Sequence, residues 1–406
     1  MTAASEEVST DRMLTGGVLF LLAGLSALGT LSTNIILPSF PSISADLHVS
    51  TKELAPTLSA FFIVFAVGQL VIGPLSDRVG RKWLVLVGLS LFFIGSILCT
   101  VATDLSLLIV GRVIQAVGSC TAAVLARATA RDLFHGLALA RALALTMIAM
   151  AIAPGFSPLL GGLLDAATGW RATFALVGAC GLVLAAYYWR SLGETLPAGQ
   201  RTPLTASAIA KSYASMAIDP RFLLPGLTIG LINGGLYTYF SAAPALLIDS
   251  AGLSPLQLGV FFALTVFVVF GAGFLAPRLA GRWGQRTTGL VGCLLAVLSG
   301  IFLAFGGSTP GLVITTLSWV TFLFGLGLVD PIAMALALDP FKTQAGVASA
   351  LLGFLPMAIA SLGSFTMTAL PFMPATSLVV VLFVAGCLAS ALIFSATSAN
   401  QRPLAL

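Results

Sequence analysis

Gly73-Pro-Leu-Ser-Asp77-Arg78-Val-Gly80-Arg81-Lys82-Trp83 is the stretch that decides the fold, and it has an echo, Gly273-Phe-Leu-Ala-Pro-Arg278-Leu-Ala-Gly-Arg-Trp283. Each is a short polar interruption between two apolar runs of about 20 residues, the length that crosses the hydrocarbon core of a bilayer. Gly73 and Gly80 permit a tight turn, Asp77 can accept from an arginine, and Arg78, Arg81 and Lys82 suit an anionic inner membrane surface. At an offset of 200, Gly73, Leu75, Arg78 and Trp83 match Gly273, Leu275, Arg278 and Trp283, and Phe61-Phe62 match Phe261-Phe262. The chain therefore reads as a duplication.

Cutting outward from this stretch at polar and Pro/Gly clusters predicts twelve spans, at 14–37, 52–73, 83–102, 106–129, 139–164, 170–188, 222–246, 256–276, 287–305, 311–336, 346–369 and 376–397. The fold class expected is an all-α membrane protein of twelve transmembrane helices in two parallel six-helix bundles. Its parts are a cytoplasmic tail at 1–13, an N-terminal bundle at 14–188, a linker at 189–221, a C-terminal bundle at 222–397 and a second tail at 398–406. Composition agrees, with 58% hydrophobic residues, 8% charged residues and a mean hydropathy of +1.06. A water-soluble domain carries about 25% charged residues, so a soluble surface is excluded. The 42 glycines fit close packing between helices in lipid.

With the N-terminus inside, every one of the 19 lysines and arginines except Lys52, Arg112 and Arg171 falls in a cytoplasmic segment, as the positive-inside rule requires. Topology thus accounts for a pI near 9.1, and no nucleic-acid partner is implied. The polar start, MTAASEEVSTDRM, has no cleavage pattern and is expected to remain as a tail. Five scattered cysteines, Cys99, Cys120, Cys180, Cys293 and Cys387, suggest neither a disulfide framework nor a metal site.

Residues 73–82 resemble the signature between the second and third helices of the major facilitator superfamily. The resemblance implies that Gly73, Asp77, Arg78, Gly80 and Arg81 form a clasp holding the two halves together in one alternating-access state. Leu108-Ile-Val-Gly-Arg112-Val-Ile-Gln115-Ala-Val-Gly118 resembles the fourth-helix motif of proton-coupled members, in which a buried arginine influences a carboxylate. A cation inside hydrocarbon is costly, which itself makes Arg112 a functional candidate. Ala153-Pro154-Gly155-Phe-Ser157-Pro158-Leu-Leu-Gly161-Gly162 resembles the fifth-helix exporter signature, a proline-kinked, tightly packed seam between halves. Here Ser157 stands where the pattern has glycine. Asn34-Ile-Ile-Leu-Pro38, Trp170-Arg171, Leu253-Ser-Pro255 and Ala348-Ser-Ala-Leu-Leu-Gly353 are similar to the bicyclomycin and chloramphenicol resistance branch of drug:proton antiporters.

Many members of that branch carry a proton-binding aspartate where this chain has Asn34, and an amide cannot titrate. Either the proton sits elsewhere, or the chain is an uncoupled form. Of its 14 acids, the one deep in a span is Asp330, roughly 13 Å from the cytoplasmic end of the tenth helix by helical rise. An ionised carboxylate there is costly, so Asp330 is the candidate proton carrier, with Arg112 facing it across the cavity. The alternatives for Asp330 are a static ion pair or a helix cap at Pro331. Candidate substrate contacts are Asn34, Phe61, Phe65, Gln69, Arg112, Gln115, Asn233, Tyr237 and Phe240, the last three sharing one helix face.

The function expected is proton-coupled efflux of amphipathic, amphenicol-like molecules, neutral or zwitterionic, across the bacterial inner membrane, with both termini cytoplasmic. The proton is the coupling ion, no other cofactor is called for, and the partners are a small-molecule drug or metabolite and membrane lipid, acting on a monomer. Export or facilitated passage of an endogenous metabolite is the alternative. A membrane-embedded enzyme or sensor is disfavoured, because two loop histidines and scattered acids make no catalytic cluster.

Overall fold

The computed structural model describes residues 16–201 and 206–399. The tail at 1–13, part of the linker and the chain beyond 399 lie outside the described residues. Among those described, the regular elements are helical: α1 (Gly16–Asn34), α2 (Phe40–Leu47), α3 (Ala55–Val79), α4 (Lys82–Thr100), α5 (Leu105–Leu133), α6 (Gly136–Thr168), α7 (Arg171–Ser191), α8 (Ala206–Ala217), α9 (Pro220–Ala243), α10 (Pro255–Phe305), α11 (Leu312–Leu338), α12 (Ala345–Ala369) and α13 (Pro374–Ala399). The stretch after the first span is not a loop. Pro38 opens a 3₁₀ turn and α2 follows, closed by His48 in the left-handed region at φ 54°. The linker likewise carries α8.

Eleven helical stretches among the described residues are long and apolar enough to cross a membrane, one fewer than the twelve expected. The difference lies in α10, whose 51 residues would measure roughly 76 Å if straight, over twice a hydrocarbon core of about 30 Å. Its backbone breaks at Gly284 (φ 83°, ψ 155°), and residues 281–287 are all exposed. So α10 is two spans joined by a turn that needs glycine.

That turn corrects the register of the duplication. Gly80, after α3, has nearly the same conformation (φ 105°, ψ 167°) as Gly284. Upstream, both halves start their helix with a capping box, Ser50 with Glu53 and Ser254 with Gln257. Cap and turn are separated by 30 residues in each half (50 to 80, 254 to 284), which sets the offset at 204, not 200. Four residues are close to one helical turn, so the matches at 200 preserve the helix face and mimic the true register.

In the N-terminal half α5 packs against α1, α3 and α4, and in the C-terminal half α11 packs against α9 and α10. The halves meet along two seams, α3 on α12 and α6 on α10. Glycine makes the second seam close. A Cβ on Gly155 would lie 2.6 Å from the Val266 side chain, and one on Gly162 would lie 2.7 Å from the Pro255 carbonyl. On the first seam, Ser361 donates to the Ser59 carbonyl at 3.0 Å and Lys52 to the Leu370 carbonyl at 3.2 Å.

Candidate functional site

Asp330 stands partly buried in α11, directly before Pro331, and the helix continues past both. Its Oδ1 accepts from the Asn233 Nδ2 at 2.7 Å, and Asn233 also donates to the Ile229 carbonyl of its own helix at 3.2 Å. No cation pairs with Asp330 among the described residues, so it is neither half of an ion pair nor a helix cap. Tyr237, one turn from Asn233 on α9, also keeps accessible surface, and its ring lies 5.2 Å from Phe62 across the junction of the halves.

Arg112 does not meet Asp330. It is fully buried inside the N-terminal half, where Nη1 donates to the Ser32 carbonyl at 3.0 Å and to the Gln115 Oε1 at 2.5 Å. Its guanidinium lies 4.3 Å from the Phe61 ring centroid, a cation–π contact, while Nε and Nη2 are buried without a partner. Gln115 in turn donates to the Ser96 hydroxyl at 2.8 Å. The facing pair anticipated from sequence is thus two separate centres, one cationic and one acidic.

The anticipated substrate contacts divide in the same way. Asn34, Gln115, Phe61, Phe65 and Phe240 are buried, whereas Asn233 and Tyr237 keep accessible surface. Asn34 donates back to the Thr30 carbonyl at 2.9 Å, and its Oδ1 is buried without a partner. Phe61 stacks on Phe65 at 6.0 Å, and Phe240 lies against Phe262 and Trp319 inside the C-terminal half. Pro154 and Pro158 lie within α6, which continues through both, and the glycines there serve the seam with α10 or, for Gly161, the close approach of the Ile35 carbonyl.

The clasp residues gather around Arg81, which is 6% exposed. Its guanidinium pairs with Asp77 at 2.7 Å and Asp132 at 3.0 Å and donates to the Ser76 hydroxyl, while its backbone N–H donates to Glu194 at 2.7 Å. Burial opposes the Arg81 charge, but the bonds to Asp132 and Asp77 outweigh it and raise the guanidinium above its ordinary value. Burial also opposes the Glu194 charge. Backbone N–H donors from Arg81, Leu196 and Lys82, with Arg201 nearby, more than offset that and hold the carboxyl low. Gly80 must be glycine twice over: its φ is positive, and a Cβ would strike Glu194 and Arg201. These partners all belong to the N-terminal half and the linker. Arg78 is exposed.

One polar residue escaped the sequence reading. Arg127 counted there as a cytoplasmic charge, but it lies within α5 and its Nη2 donates to the Gln69 Oε1 at 3.0 Å. From Gly118 to Ala130 every residue of α5 is buried except Arg127. The signal available was its place six residues inside the helix end, in a stretch with too many small residues to face lipid.

Comparison with known proteins follows the same architecture. The Major Facilitator Superfamily pattern matches residues 20–364. The chain is 31% identical over 349 residues to an uncharacterised MFS-type transporter, YdgK, of Bacillus subtilis (strain 168), covering 85% of this chain and 87% of that one. It is 30% identical to multidrug resistance protein D of Escherichia coli (strain K12), covering 83% and 84%, and 30% identical to multidrug resistance protein MdtL of Salmonella paratyphi B, covering 90% and 91%. Among solved structures, it superposes with a TM-score of 0.72 on a bacterial homologue of the human lysosomal transporter Spinster in an inward-facing, unoccupied conformation, at 17% identity, covering 96% of this chain and 98% of that one. A D-xylose–proton symporter gives the same TM-score at 16% identity, covering 93% and 97%.

Proposed function

Because this chain belongs to the Major Facilitator Superfamily and is a multi-span membrane transporter, not an enzyme, we propose that it exports amphipathic small molecules in exchange for protons. Asp330 carries the proton, and the observation that supports this role is its geometry. It is an acid within a membrane span, partly accessible, bound to one neutral donor and, among the described residues, to no cation. An ion pair would lock its charge, whereas an amide partner tolerates both protonation states, because Asn233 can donate to the carboxylate and equally to the carbonyl oxygen of the neutral acid. Proton uptake there replaces a costly buried charge with a neutral group, and drug binding beside Asn233 and Tyr237 can drive the proton off.

The cycle is a rocking of the two halves about the α3–α12 and α6–α10 seams. Lys52, Ser59, Gly162, Pro255 and Ser361 close them toward the outer face when the termini are placed in the cytoplasm of the bacterial inner membrane. Relatives at about 30% identity bear the name multidrug resistance protein, which supports a drug as cargo. The test is chloramphenicol-driven proton movement in proteoliposomes holding a trapped pH dye. Flux with the starting chain that is lost in Asp330→Asn upholds the reading. Flux that appears only in Asn34→Asp refutes it and makes Asp330 structural.

A further inference from the structure

Arg127 is a half-buried cation within α5 with no acid paired to it among the described residues, and its position relates it to Asp330. Counted from the first residues of the two helices, Leu105 and Leu312, an offset of 207, Asp330 corresponds to position 123, one helical turn from Arg127. Counted from the other ends, Arg127 lies about 9 Å from the end of α5 and Asp330 about 12 Å from the end of α11, at the helical rise. The two groups therefore sit on corresponding helices of the two halves at closely similar depth. One wall of the transporter carries a cation there, and the other an acid.

The surroundings of Arg127 show where its free surface points. α5 is enclosed by α1, α3 and α4, with α6 at its margin, and is otherwise buried over Gly118–Ala130, so the surface left on Arg127 does not belong to a lipid-facing side. Its hydrogen-bond partner Gln69 is on α3, the helix of the first seam, and Gly353 of α12 packs directly over it: a Cβ there would come 2.7 Å from the Gln69 Oε1. Arg127 thus borders the junction between halves. Gln69 takes up Nη2 as a neutral acceptor, and no carboxylate ion-pairs with this guanidinium among the described residues. A planar fork of donors, one of them held by Gln69, suits a carboxylate.

We propose that Arg127, positioned by Gln69, is a subsite for a carboxylate on the transported molecule, and that zwitterions are preferred over cations of the same shape. The inference rests on the reading that substrate binds between the halves. The carboxylate displaces water from Arg127 while a basic or polar group at the other end of the molecule reaches toward Asp330 and Asn233. A cation lacking the acid leaves Arg127 uncompensated and meets its repulsion.

The probe pair is norfloxacin, which carries a carboxylate and a piperazine ammonium, and its methyl ester, which keeps only the ammonium. Equilibrium dialysis of radiolabelled norfloxacin against the purified full chain, with the ester as competitor, gives the ratio of the two affinities. The starting chain is expected to favour the acid by about tenfold, and Arg127→Gln to bring the two within about twofold. Because the ratio is internal to each variant, a general loosening that weakens both ligands leaves it in place. A ratio near one in the starting chain, or a ratio that Arg127→Gln leaves unchanged, overturns the proposal, as does failure of both compounds to bind the starting chain. Should Arg127→Gln bind neither compound, Arg127→Lys decides: a preference for the acid retained with the charge upholds the subsite, and its loss overturns it. Loss of proton coupling with the ratio intact sinks only the antiport reading, while a ratio of one with coupling intact sinks only the subsite.

Discussion

The fourth and tenth spans, α5 and α11, occupy corresponding places in the two halves and carry opposite charge. α5 holds Arg112 and Arg127 deeper than its last turn, where Arg131 and Asp132 follow, and α11 holds Asp330 as its one charged residue. Among the described residues neither Arg112 nor Arg127 has an acid partner, and Asp330 has no cation partner. A protein selected only for stability would pair such charges or remove them, since an uncompensated ion in hydrocarbon costs several kcal/mol. In the proposed cycle, keeping them apart leaves each free to respond to something that arrives, a proton at Asp330 and a substrate group at Arg127. The duplication supplied two equivalent walls, and their divergence gives each a separate task.

The largest effect expected from breaking this comparison is at Arg112. Arg112→Met removes a guanidinium with two buried, unpartnered nitrogens, so transport should be lost while the melting temperature of the purified protein stays level or rises. A fall of several degrees would mean that the Arg112 network is a structural prop. The turns at Gly80 and Gly284 come next. Gly80→Ala should destabilise by about 1–3 kcal/mol, through positive φ and a clash with Glu194 and Arg201, whereas Gly284→Ala meets only the strain, nothing lying within 4 Å of its Cβ. Equal losses in thermal melts would place the whole cost in the backbone.

A smaller difference separates the same turns in acid. Glu194 has a folded-state value below the ordinary 4.5, so its contribution is fully present above that value and fades as pH falls below it toward the folded value. Glu194→Gln should therefore cost up to about 1 kcal/mol near neutrality and progressively less in melts at acidic pH. A constant deficit would assign the effect to packing. Smallest is Gly353→Ala, which must push aside the Gln69 side chain that holds Arg127. The preference for norfloxacin over its ester should drop about two- to threefold, and no drop would separate Gln69 from the subsite.

Much of the fold was legible because it follows from hydrophobic run length and from turn chemistry. Gly80 marked its turn, and Asp330 stood out as the one acid far from any polar cluster. The register was misread for a physical reason: a shift of four residues keeps a helix face, so Gly273 and Arg278 imitate Gly73 and Arg78, and only the backbone at Gly284 and the cap at Ser254 reveal the true alignment. Which way a side chain points was not legible. Arg112 and Asp330 were expected to face one another, yet Arg112 bonds to Ser32 and Gln115 within the N-terminal half. Asn34 bonds its own helix for the same reason, that a short amide next to a free carbonyl uses it. Arg127 was hidden by the positive-inside rule itself, which credits a basic residue near a helix end to topology.

The central claim is that Asp330 gives up a proton when the drug binds, and infrared difference spectroscopy of the purified protein tests it directly. Adding chloramphenicol should remove a band in the protonated-carboxyl stretching region and release a proton to the medium, and both signals should vanish in Asp330→Asn. A carboxyl band that persists unchanged in Asp330→Asn, or proton release without any carboxyl band in the starting chain, would contradict the account.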